Sequence, residues 1–131
     1  MSEYDWSAEV ANSEAVRDVL GSPPPPLTDY HLDSVLIDER ETSVTLRFSA
    51  FGIPAGAADL WQARGHNAVE FVLVCVGVKN FEVDGWSGWP TTVAALGGRT
   101  VVLAGQDKHV SFETDEIRAL PPVGRLWSQA E

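Results

Sequence analysis

Between Val44 and Ala50 the chain alternates with a period of two. Val44, Leu46, Phe48 and Ala50 fall on one side, and Thr45, Arg47 and Ser49 on the other. That is the pattern of a half-buried antiparallel strand. The preceding "YHLDSVLIDE" is its hairpin partner, with a short loop near Arg40. Two glycines and a proline open the next stretch, so residues 52–67 read as a long loop, with one helical turn around Asp59–Ala63. Residues 69–84 carry the most apolar run. Phe71, Leu73 and Cys75 alternate with Val72, Val74, Val76 and Val78, so both faces need cover. The run is too long for one strand, and Gly77 or the pair Lys79–Asn80 should turn it. Beyond it, Phe81 and Val83 alternate with Glu82 and Asp84.

"TTVAAL" and "RTVVLAG" form a hairpin through Gly97–Gly98. In "KHVSFET", Val110 and Phe112 point inward and His109, Ser111 and Glu113 outward. "EIRAL" is a last short strand, ended by Pro121–Pro122. Before the strands, residues 7–20 read as a helix stopped by Gly21, with Val10, Ala11, Ala15, Val19 and Leu20 on one face. Either Ser7 or Ser13 is the N-cap, and Ser13 would start a shorter helix over Glu14–Leu20. The prolines that follow make a stiff spacer. The expected fold is α+β in one domain, 1–131: helix 7–20, proline-rich connector 21–28, an antiparallel β-meander of about six strands in 29–121, and a loose tail 122–131.

Composition narrows the function. A chain of 131 residues fits one domain with a real core. Nineteen acids against nine bases give a net charge of −10, which argues against nucleic acid and anionic membranes as partners and favours a basic partner or simply solubility. Cys75 is alone, so no disulfide framework exists. Its valine surroundings describe a core thiol in a reducing compartment. With no signal-peptide pattern and no long apolar window, the expected location is the cytoplasm.

No phosphate-binding glycine loop and no nucleophile elbow is present, and no catalytic residue or cofactor is expected. His31 and Asp33 share a strand face, and with His109 and Glu113 on a neighbouring strand they would make a metal-dependent enzyme. Trp61, Trp86 and Trp89 would make a small-molecule or carbohydrate-binding module. The Phe81–Val83 alternation puts Trp86 in the core; Ser87, Gly88 and Pro90 put Trp89 on an exposed turn.

A third reading comes from a resemblance. The short helix ending in glycine and prolines, "LTDYHLDSVLIDERETSVTLRF", the loop with Pro54 and Trp61, "GHNAVEFVLVCVGVKNFEVDGW" and "VSFETDEIRAL" together resemble the bacterial immunity protein 50 family. The matching positions include Gly65, Asn67, Val78, Phe81, Gly85 and Trp86. The glycine-rich stretch between Trp86 and Thr100 and the run of four prolines depart from the pattern. The resemblance implies a non-enzymatic protein that binds and neutralises a cognate toxin of a polymorphic toxin system. An acidic binder suits a toxin with a basic cleft. The candidate contacts are Asp33, Asp38, Glu39, Asp84, Trp89, Glu113, Asp115 and Glu116. An open meander also leaves strand edges through which a homodimer could pair.

Overall fold

The computed structural model describes residues 5–52, 63–97 and 99–126. Trp61, Trp127, Gly98 and most of the helical turn expected at Asp59–Ala63 lie outside them.

The strand segments are β1 (His31–Asp38), β2 (Ser43–Phe51), β3 (Ala68–Val76), β4 (Lys79–Val83), β5 (Thr91–Gly97), β6 (Thr100–Gly105), β7 (Lys108–Glu113) and β8 (Glu116–Arg125). The α+β character and the N-terminal helix hold. The meander of about six strands gives way, among the described residues, to eight, in two antiparallel four-stranded sheets of order β1-β2-β3-β8 and β4-β7-β6-β5. The two sheets share one core, in which Leu46, Phe48, Phe71 and Leu73 of the first meet Leu96, Val101, Leu103, Val110 and Phe112 of the second.

The apolar run divides where its glycine predicts. Gly77 takes φ +68°, and the chain leaves the first sheet at Val76 to enter the second at Lys79; Asn80, φ +54°, adds a second bend. The return from β7 to β8 passes the same point. The Val76 carbonyl accepts from both the Asp115 N–H and the Thr114 hydroxyl. A Cβ at Gly77 would overlap the Asp115 carboxylate, so the two crossings are packed against each other.

The expected cover for both faces of β3 is not what forms. Its inner residues Phe71, Leu73 and Cys75 are buried, but Val72, Val74 and Val76 are only half-buried on an outer face that no element covers among the described residues. Leu120 and Leu36 lie on that face too, set there by their registers with Val72 and, through Thr45, with Val74.

Three boundaries also differ. The helix is α1, Glu14–Leu20, the shorter alternative that starts after Ser13, preceded by a 3₁₀ turn over Trp6–Glu9 rather than continuous from Ser7; Val16 and Leu20 are its buried residues, and Ala11 is exposed. At the β5–β6 connection Gly97 is still strand and pairs with Thr100, rather than standing in the turn as expected, and Arg99 takes φ +68°. Pro121–Pro122 do not end the last strand, and residues 122–125 are strand rather than tail. Glu70 stands opposite Val123 and Val72 opposite Leu120, so both prolines face Phe71 at a bulge. β8 is an edge strand, and there missing N–H groups cost the ladder least.

The N-terminal segment closes the side of the sandwich formed by β8 and β5. Trp6 is 0% exposed, stacks on Phe71 at 5.4 Å and donates its indole N–H to the Pro25 carbonyl at 2.8 Å. Phe48 stacks on Phe71 and Tyr30 meets it edge-on. The edge of β8 is also tied down. The Ala11 N–H donates to the Ile117 carbonyl, and the Asn12 side chain donates to the Ala119 carbonyl and accepts from its N–H. Asn12 thus acts as one residue of a missing neighbouring strand.

Candidate partner-binding groove

The opposite side of the sandwich, between edge strands β1 and β4, is open among the described residues. Alternation in β1 is broken by a bulge between Leu32 and Ser34, after which Val35 and Ile37 point inward opposite Leu46 and Val44. From the other sheet, Phe81 and Val83 point toward them, and Phe81 stacks on the buried Phe112 at 5.7 Å. The strands do not meet. A hollow of about 380 Å³ lies between Val35, Ile37, Phe81, Val83 and Trp86. A second, of about 220 Å³, continues it past Ile37 and Phe81 to Val78 and the β1–β2 turn. Ile37 is 51% exposed, Val83 50% and Trp86 50%.

Trp86 is therefore not in the core, contrary to what the alternation before it predicts. Pairing with β7 reaches Val83↔Val110 and the strand stops there, so the indole projects beyond the sheet onto the groove wall. The Lys108 ammonium lies 5.7 Å from its ring centre. Lys108 is itself 5% exposed, and this burial lowers its pKa. Trp89 is exposed as expected, but does not line the groove. Among the described residues the indoles do not form a paired platform.

Of the acids singled out in the sequence, Asp33, Asp38 and Glu39 line the two hollows, and among the described residues no lysine or arginine does. Asp33 is the extra residue of the β1 bulge; it accepts from the Ser49 hydroxyl at 2.5 Å and lies 3.7 Å from the His31 imidazole. Asp38 accepts from the backbone N–H groups of Arg40 and Glu41 and so holds the turn. Asp84 follows β4 and donates its N–H to the His109 carbonyl.

The other three acids lie elsewhere. Glu113 accepts from the Asn80 amide at 2.8 Å; Asp115 sits at the sheet crossing; Glu116 pairs with Arg118. The candidate contacts therefore do not form one patch. Ile37, Phe81 and Val83 belong to the groove and were not among them. Their alternation marks them as apolar, but only the gap between the sheets leaves them accessible.

The proposed metal set does not assemble. His31 and Asp33 are on β1 of the first sheet and His109 on β7 of the second, and among the described residues no three histidine, cysteine, aspartate or glutamate side chains converge. Burial pushes the Cys75 thiol up to about 12, as an inert core residue requires. Among the described residues no helix is long and apolar enough to cross a membrane.

These features define a two-sheet β-sandwich with an N-terminal helical cover and one acid-lined apolar side. The sequence model of the immunity protein 50 family matches residues 12–117, most of the chain, and the chain belongs to that family. Comparisons with curated proteins and with solved structures gave no match.

Proposed function

We propose that this chain is a cytoplasmic immunity protein that binds a cognate bacterial toxin of a polymorphic toxin system and blocks it by occupying its surface, without chemistry of its own. Membership of the immunity protein 50 family carries the reading. The charge of −10 supports it and points to a toxin with a basic face, because complementary fields accelerate encounter and reject wrong partners. Asp33, Asp38, Glu39, Asp84, Trp89, Glu113, Asp115 and Glu116 remain the candidate charged and aromatic contacts. Neither nucleic acid nor a membrane is a partner in this reading, and no cofactor is needed.

The test is protection. Cells expressing the toxin domain encoded beside this chain's gene should survive only when the chain is co-expressed, and the two purified proteins should form a complex whose association rate falls with salt. Survival unchanged by co-expression, with no complex by calorimetry, rejects the reading.

A further inference from the structure

We propose that the groove between β1 and β4 receives an extended, lysine- or arginine-bearing segment of the toxin, with that segment's apolar side chains against Ile37, Phe81, Val83 and Trp86 and its cations toward Asp33, Asp38 and Glu39. This rests on the reading above that the partner is a protein toxin.

Shape is the first support. From Asp33 to Glu39 the wall runs about 20 Å at the rise of a strand, which matches an extended segment of about six residues. Among the described residues both walls are edge strands, β1 paired only to β2 and β4 only to β7. Each edge offers backbone groups to an added chain. The edge of β8, by contrast, is already occupied by Ala11 and Asn12.

Charge is the second support. Asp33, Asp38 and Glu39 border the groove; the Asp33 carboxylate is taken up by the Ser49 hydroxyl beside His31, while among the described residues neither Asp38 nor Glu39 is in an ion pair and the cation at the wall, Lys108, lies over the Trp86 ring. On another exposed apolar region, the outer face of the first sheet around Leu120, the acids are already paired with arginines. There Glu70 faces Arg47 at 3.6 Å and Arg125 at 2.8 Å, and Glu116 pairs with Arg118. A cationic segment gains from the groove and little from that face.

Calorimetric titration of the purified, catalytically inactivated toxin domain from the neighbouring gene separates the alternatives. Ile37→Lys and the pair Asp38→Lys, Glu39→Lys should each weaken binding at least thirtyfold, about the loss expected at an interface hot spot. Leu120→Lys on the outer face should stay within about twofold. Val83→Lys serves in place of Ile37→Lys if the latter lowers the urea midpoint. Amide exchange on the wild-type complex should slow in β1 and β4. Groove variants that bind like the wild type, or protection confined to the outer face, overturn the proposal while leaving the immunity function intact; no binding by the wild type removes both. If Ile37→Lys converts a dimer of the free protein to a monomer at unchanged toxin affinity, the groove is a self-contact and the proposal falls.

Discussion

The two long sides of this sandwich are built from the same materials and finished differently. On the side of β8 and β5, Trp6 is sealed on Phe71 and Asn12 satisfies the edge of the last strand. On the side of β1 and β4, Trp86 stands half-exposed and the inner residues Ile37 and Val83 look into an open hollow. Indoles and branched side chains serve both sides. What separates core from surface is whether a further segment of chain arrives to cover them, and here the N-terminal segment covers one side only.

The contrast is sharpest for the two tryptophans. Trp6→Ala should cost about 3–5 kcal/mol in urea unfolding, the range for a large aromatic removed from a packed core. The closed side also carries an alkaline sensitivity. Burial, and secondarily the charge of Asp29, pushes Tyr30 from 10.0 to about 12, and burial pushes Cys75 from 9.0 to about 12. In both, the folded state holds its proton more tightly than the unfolded chain. Stability is therefore intact below about pH 9 and falls as pH rises toward 12. The loss is of the order of a few kcal/mol, and Tyr30→Phe with Cys75→Val should flatten it in unfolding curves taken across that range.

Asn12→Ala leaves two backbone groups of Ala119 unpaired and should lower stability by about 1–2 kcal/mol. It should also speed amide exchange at Ala119. Trp86→Ala should change stability by less than about 1 kcal/mol, because the ring is half in water. A Trp86 loss as large as that of Trp6 would mean that the two sides are not different after all.

Much of this was legible in the sequence, and the failures have physical causes. Alternation placed Val44, Leu46 and Phe48 inward, because strand period and burial are local properties. Gly77 marked the end of β3, because its left-handed conformation favours glycine. Asn12 carried no signal, since its partner Ala119 is 107 residues away. Pro121–Pro122 read as a terminator because a proline is acceptable in a strand only at an edge or bulge, and edges are set by topology rather than by neighbours in sequence. Trp86 was misplaced for a related reason: alternation gives a residue's side of the strand, but not where the sheet stops. Asp33, Asp38 and Glu39 were recognisable as charged positions, while the hollow they line exists only once two sheets are placed side by side.

The junction at Val76 has a consequence for how this architecture can vary. Val76 pairs with Glu116, and everything between them, the whole second sheet, is in effect the loop of one hairpin grafted onto a four-stranded host. Its two ends are stitched at Asp115 and Thr114, so a change of length at a turn of the graft, outside the shared core, leaves the Val76–Glu116 register of the host in place. One lip of the cleft belongs to the host and the other to the graft. Remodelling the graft reshapes the opening while the scaffold beneath it stays as it is.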